Sequence, residues 1–324
     1  MGETLITELI DPASNLALPE WLDRLEDVAE DHGYFEPLGP DHSAIFIEKA
    51  PVLLVTFETI LGVRGRSNSD VPLGWEFSEA NGWSQLCLMS HGETWFRHRA
   101  VYQFFDKLVD EGFFENYDQV VFYGAESCAY AAAAFSVAAP GATVIAISPQ
   151  ASLDPRVCEW DDRFHYMRRT NFTDRYGYAP DMLDAAEKGF ILYDPEIEED
   201  AMHSALFIAD HVERLRFRHL DSQIETYLRR IEQLDTILQN AMNGTLCAAD
   251  FHAAYRERRS YLPYVRDLLS AVEDLDRPYL TALLCRNVLS RINAPRFRRQ
   301  LNIAEKELTR QGRALPAPKK MELV

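Results

Sequence analysis

The spacing of apolar positions along this chain changes near residue 222. Before it, apolar residues come in short runs of strand length, at 44–48, 52–57, 85–90, 118–123, 143–147 and 190–193, followed by an alternating run at 212–218. Runs that are apolar throughout suit strands buried on both faces of a parallel sheet, and alternation suits a half-exposed edge strand. The runs at 44–48 and 52–57 are joined by Ala50-Pro51, which predicts an antiparallel hairpin opening the sheet. Helical periods lie between them, at 18–30 with Trp21, Leu22, Leu25 and Val28 on one face, and at 100–111 with Val101, Phe104, Phe105, Leu108 and Val109 facing inward. The stretch 64–70 reads as a polar loop, followed by Gly74-Trp75-Glu76-Phe77; 148–189 reads as an irregular insertion over the strand ends, and 200–210 as a helix.

From Ser222 onward the period is helical throughout, over 222–242, 248–259, 261–275, 278–291 and 295–311, with breakers at Asn243-Gly244, Pro263, Pro278 and Pro295. The expected architecture is therefore α/β, a mixed and mainly parallel sheet with helices on both sides, followed by an all-helical lobe. The boundaries this implies are a leader and first helix at 1–43, the sheet domain at 44–221, the helical lobe at 222–315 and a mobile tail at 316–324.

With 324 residues and 47% hydrophobic content, the chain can bury a large core. Its formal charge of −18 repels phosphate backbones and anionic lipid, so neither nucleic acid nor membrane is an expected partner. The five cysteines, Cys87, Cys128, Cys158, Cys247 and Cys285, are scattered and lack CxxC spacing. That pattern argues against a disulfide framework and a zinc site; no metal or cofactor is expected, and the reducing cytoplasm is the expected location. The N-terminus is acidic where a signal peptide would be basic, and no apolar stretch approaches the ~20 residues of a membrane span.

The candidate chemistry concentrates at 118–150. A strand runs into Gly124-Ala125-Glu126-Ser127-Cys128-Ala129-Tyr130, an alanine-rich helix follows, and a second strand ends at Ser148-Pro149-Gln150. This βαβ unit resembles the nucleophile elbow of α/β-hydrolases, in particular bacterial hydrolase-like proteins whose elbow reads Gly-x-Ser-x-Gly-Gly-Tyr-Ala-Ala. The resemblance covers roughly residues 44–230. It implies a sheet of α/β-hydrolase type, an acid after a late strand (Asp194 or Asp200) and a histidine after the last strand (His219). The whole chain also resembles an alphaproteobacterial group sometimes labelled phosphoadenosine phosphosulfate reductase. That reaction calls for a serine- and glycine-rich phosphate loop and a reactive cysteine motif, and the sequence holds neither.

Aligning Gly124, Tyr130 and Ala131 with the hydrolase pattern puts Glu126, not Ser127, at the nucleophile position. Shifting by one residue would put Ser127 there between Ala125 and Ala129, but Gly124 then falls one place early for the tight strand–helix contact. A glutamate cannot act as a serine nucleophile. Either it forms an ester intermediate that a histidine-activated water hydrolyses, or it is an acid held at a helix N-terminus in an altered, non-catalytic elbow. The second reading is the expected one: a hydrolase-like protein acting by ligand or protein binding. The alternative is an active hydrolase of esters or thioesters, with Ser127 as nucleophile, His219 as base and Asp194 as orienting acid.

Other residues carry weaker signals. Asp200 and His203, three apart on a helix, could share a face and pair, but a helix cap and a packing histidine are the expected reading. Cys128 at the start of the alanine-rich helix reads as a small core residue. Arg163, Arg168, Arg169 and Arg175 would suit an anionic ligand unless Asp161, Asp162 and Asp174 neutralise them. Finally, Arg286, Arg291, Arg296, Arg298, Arg299, Lys306, Arg310 and Arg313 face only Glu305 and Glu307 over the same span. Such a basic end is suited to intramolecular docking, self-association into a homo-oligomer or an acidic partner.

Overall fold

The structure, a computed structural model, describes residues 16–66 and 71–316. The expected leader up to residue 15, residues 67–70 of the expected polar loop and the tail from 317 lie outside the described residues.

Eight strands form one sheet: β1 (Gly33–Pro37), β2 (His42–Ile47), β3 (Val52–Thr59), β4 (Ser84–Ser90), β5 (Gln119–Ala125), β6 (Thr143–Ile147), β7 (Lys188–Tyr193) and β8 (Val212–Arg216). Their order is β1-β2-β4-β3-β5-β6-β7-β8. The β1–β2 and β2–β4 pairs are antiparallel, and every pair from β4 to β8 is parallel. This is a mixed, mainly parallel sheet of the α/β-hydrolase type. The hairpin expected between β2 and β3 does not form. Instead β2 turns back on β1, with Phe35 opposite Ile45, and β4 lies between β2 and β3. Residues 53–58 are buried throughout, which suits a central strand flanked by parallel neighbours on both sides.

Helices cover both faces. The first, α1 (Leu18–Glu30), begins with Pro19 in its first turn and buries Trp21, Leu25 and Ala29 against Ile45, Ile47, Cys87 and Met89. Two helices that were not expected flank the polar loop, α2 (Ile60–Arg66), which takes in its first residues, and α3 (Leu73–Asn81). Sequence polarity missed α3 because its N-terminus is capped from afar: the buried Glu58 carboxylate accepts hydrogen bonds from Leu73 N (3.0 Å) and Gly74 N (3.2 Å). On the other face, α4 (Arg99–Asp110) and α5 (Ser127–Phe135) pack into an aromatic core in which Phe105 stacks on Phe135 at 4.5 Å between centroids. The insertion at 148–187 is irregular apart from short helical turns, as expected, and α6 (Glu198–Ala205) follows β7.

After β8 come α7 (Ile224–Arg230) and α8 (Gln233–Met242), broken at Glu232, which has a φ of 57°. Next are α9 (Ala248–Arg256), α10 (Leu262–Asp274), α11 (Pro278–Leu289) and α12 (Pro295–Arg310). The chain divides into two compact units, 1–248 and 249–324. Helices α7 and α8, expected in the helical lobe, thus belong to the sheet unit, where Tyr123 Oη donates to Glu225 (2.8 Å) and Asn81 joins Asp235 and Gln239. In the second unit, Ala282 packs on Ala304 and Leu308 between α11 and α12, and Arg286 reaches Glu305 (2.8 Å) and the carbonyl of Pro316 (2.9 Å).

Candidate functional site

The elbow lies between β5 and α5, and its backbone decides the register. Glu126 has φ 57° and ψ −122°, a conformation a non-glycine residue adopts at a cost of about 1–3 kcal/mol, and Ser127 is the first residue of the helix. Surrounding bonds hold the strain: Glu126 N donates to Ile147 O (2.8 Å), and its carbonyl accepts from Ala129 N (3.0 Å) and Tyr130 N (3.2 Å). Gly124 is the small residue the turn requires, because a Cβ there would stand 2.3 Å from the carbonyl oxygen of Cys128. All nine residues of α5 are buried, and Tyr130 Oη donates to Tyr176 O (2.7 Å) and Gly177 O (3.0 Å), tying the insertion to the helix.

Glu126 and Ser127 border an open cavity of about 400 Å³. Its acidic lining comes from the C-terminal ends of several strands, where open parallel sheets place their ligand sites. Glu58 ends β3, Glu93 follows β4, Glu126 follows β5 and Glu225 opens α7 beyond β8. Phe57, Leu61 and Ile147 supply apolar wall, and Ser127, Ser148 and Thr226 supply hydroxyls. No histidine, lysine or arginine is among the described residues that line it. Glu93 accepts from Tyr166 Oη and Glu225 from Tyr123 Oη, while Glu126 makes no side-chain hydrogen bond among the described residues. Solvent reaches Glu126 at the cavity mouth, yet protein surrounds much of it. That burial, with repulsion from Glu93, Glu225 and Asp200 and only partial relief from Arg163, raises its carboxyl above the ordinary glutamate value.

No hydrogen bond joins the expected triad members to one another among the described residues. Ser127 is 6% exposed and makes no side-chain hydrogen bond among the described residues. Asp194, at the end of β7 and 1% exposed, has both oxygens occupied by backbone: Oδ1 accepts from Glu196 N (2.9 Å), and Oδ2 from Leu220 N and Asp221 N (2.8 Å each). It therefore pins the loop after β8, in which His219 and Asp221 have φ values of 61° and 52°. His219 is exposed, does not line the cavity and has no hydrogen-bond partner among the described residues. The Ser127–His219–Asp194 relay is not assembled, because the loop carrying His219 is held by its own amides on Asp194 and turns the ring to solvent.

Asp200 and His203 do not pair with each other; each takes a partner from the insertion, and His203 is buried. Asp200 accepts from Arg163 Nη1 (2.7 Å). His203, fully buried, accepts from Ala151 N through Nδ1 (3.2 Å), which places its proton on Nε2, directed at Asp161 (3.0 Å). Arg163 also bonds both oxygens of Asp161. Burial opposes the charge on Asp161, but hydrogen bonds from His203 and Arg163 outweigh it and hold that carboxyl well below the usual range. In Asp200 burial prevails over Arg163, and its carboxyl lies above the usual value.

Three of the four clustered arginines, Arg163, Arg168 and Arg175, are paired with acids. Arg163 is spent on these acids, Arg168 pairs with Asp162 (2.6 Å) and Arg175 with Asp106. Cys128 is a buried core residue as expected. In the second unit Arg286, Arg296 and Arg310 pair with Glu305, Glu273 and Glu307, and Arg313 lies over Tyr279. Among the described residues no three His, Cys, Asp or Glu side chains come together as a metal-ion ligand set, and no helix is long and apolar enough to cross a membrane.

Glu58, Glu93, Glu225 and Ser148 were missed in the sequence. Each stands at or just beyond an element boundary, and an acid directly after a strand-length apolar run is the signal that would have marked the first two.

No protein-family model matches this chain, and no curated protein matches it. Solved structures do. Est1E from Butyrivibrio proteoclasticus is 12% identical with a TM-score of 0.43, the match covering 65% of this chain and 98% of that one. An esterase of Pyrobaculum calidifontis is 13% identical with a TM-score of 0.40, over 75% of this chain and 97% of its own. The capsule O-acetyltransferase of Neisseria meningitidis serogroup A is 10% identical with a TM-score of 0.39, over 63% and 94%. Likeness at this level says nothing about the chemistry of the elbow.

Proposed function

We propose that this is a hydrolase-like protein with an altered, non-catalytic elbow, which acts by binding a ligand in the cavity beside Glu126. The observation that carries this reading is the elbow itself: a glutamate occupies the strained nucleophile position, and no histidine is among the described residues lining its cavity. Acyl transfer needs a base within about 3 Å of the nucleophile, and His219 faces solvent. Carboxylate chemistry at Glu126 would meet the same lack, since hydrolysis of its ester also calls for an activated water. A binding role at the cavity is favoured over one through the basic C-terminal helices, where several arginines are paired with acids of their own unit.

The test is labelling of the full-length protein with a fluorophosphonate, alongside hydrolysis of p-nitrophenyl acetate. Neither labelling nor turnover above the rate of a heat-denatured sample is expected. Labelling that disappears in Ser127→Ala would overturn the proposal and establish the serine hydrolase alternative.

A further inference from the structure

We propose that a second copy of this chain docks on the groove at the N-terminal ends of β5 and β6, laying its helix α12 there with Ile303 as the apolar anchor. The contact uses neither the elbow nor its cavity, so it stands apart from the reading above.

The groove lies at the end of the sheet opposite the elbow. It is an opening of about 390 Å³ between the last turn of α4, residues 112–120 and the turn 138–142. Leu108, Val109, Phe114, Val120 and the alanines of that turn make its lining largely apolar. The helical period puts Val109 on the inward stripe of α4, yet it is 48% exposed, so the stripe runs on past what its own unit covers. Acids stand at the edge. Glu115 and Asp118 are exposed, make no ion pair or side-chain hydrogen bond among the described residues, and meet no lysine, arginine or histidine in the described lining.

Helix α12 carries the complement. Its inward face is Phe297, Ala304 and Leu308. On the outward face Ile303 is 56% exposed, with Arg299 four residues before it and Lys306 three after. Residues at that spacing share one side of a helix. Both cations are exposed and without an ion pair among the described residues, and Glu307, one turn after Ile303, is paired with Arg310 (3.4 Å). An aliphatic anchor between two cations matches an apolar groove with an acidic edge, the anchor filling the groove and the charges setting the register.

The charge of the chain is divided in the same sense. Residues 249–324 hold fifteen of the 33 lysines and arginines but only nine of the 51 acids, so they are net positive and residues 1–248 are strongly negative. Two copies therefore attract through unlike units. Both halves of the contact are present on one chain, which favours a second copy over a foreign partner. Because the two surfaces differ, the contact is heterologous and joins copies head to tail.

The experiment is sedimentation velocity of the full-length protein from about 1 to about 100 μM, at low and high salt. Association that grows with concentration and falls as salt rises is expected. Ile303→Asp and Val109→Asp should each weaken it by about tenfold or more. Leu275→Asp, at a 61% exposed position just after α10, should leave it unchanged. A charge exchange then tests the pairing of the two surfaces. Glu115→Lys with Asp118→Lys makes the groove edge basic, and Arg299→Glu with Lys306→Glu makes the helix acidic. Each double variant alone should associate less than wild type, and the two mixed should regain association, the acidic helix of one lying in the basic groove of the other. Circular dichroism checks that every variant is folded. A wild type that is monomeric at every concentration, association that survives both Ile303→Asp and Val109→Asp, or a mixture no more associated than its components overturns the proposal.

Discussion

Gly124→Ala tests the feature on which the functional reading turns, the register of the elbow. The added Cβ would lie 2.3 Å from the carbonyl oxygen of Cys128, 2.5 Å from its carbonyl carbon and 2.8 Å from the nitrogen of Ala129. All three are backbone atoms, so no side chain can swing aside, and restoring van der Waals distance requires strand and helix to part by about 1 Å. The nine residues of α5 are buried and leave little room for that movement. Overpacking of a tight core costs about 1–3 kcal/mol, and a backbone-against-backbone clash belongs at the upper end, about 3 kcal/mol. Urea unfolding followed by tryptophan fluorescence suits the measurement, because all five tryptophans, Trp21, Trp75, Trp83, Trp95 and Trp160, fall within residues 1–248. With a urea dependence of about 3 kcal/mol per molar, the midpoint should fall by about 1 M. An unchanged midpoint would refute the reasoning. If Ser127 stood at the elbow, the close-contact position would be Ala125, and removing a glycine from β5 would be neutral or mildly stabilising.

Two further outcomes follow from buried carboxylates. Asp194→Ala deprives Glu196 N, Leu220 N and Asp221 N of their acceptor and should cost about 3 kcal/mol in the same assay, whereas a change under about 0.5 kcal/mol would show that the residue does not hold the loop after β8. Asp161→Asn breaks the pair with His203 and Arg163 and should cost about 3 kcal/mol at neutral pH. Because the folded Asp161 carboxyl lies below its ordinary value of about 4, its stabilisation is complete above that pH and is lost as pH falls toward the folded value. The gap in melting temperature between wild type and variant should therefore narrow from pH 5 to pH 3, and a gap constant over that range would contradict the assignment.

Much of the fold was legible from local pattern. Strand-length apolar runs located β4 to β7 and an alternating run located β8, the helices at 18–30, 262–274 and 295–310 fell where period and breakers put them, and Gly124 with Tyr130 and Ala131 placed Glu126 at the turn before the helix. These succeed because strand burial, helical period and a steric requirement for glycine are properties of a few adjacent residues. The strand order was not legible. A short connection at Ala50-Pro51 favours a hairpin, but pairing is settled by which partners bury the strand on both faces, so β4 lies between β2 and β3. Helix α3 escaped notice for a related reason, its cap being the distant Glu58.

The site divides in the same way. That a glutamate stands at the strained turn between strand and helix is written in one short segment and could be read there. Whether a base stands near it, and what surrounds it, depends on segments far apart in the chain. Asp194 is in the chain position of a catalytic acid but serves three backbone amides, and His219 is in that of a base but faces solvent. Asp200 and His203 share a helix, yet their nearest opposite charges and donors come from the insertion, at Arg163 and Asp161. The sequence by itself determined the sheet class and the residue at the elbow, since both follow from local pattern and sterics. Only the tertiary structure decided that Glu58, Glu93 and Glu225 gather around that residue with no histidine among the described lining, because parallel strands bring their C-terminal ends together and the loops beyond them are placed by contacts no local pattern encodes.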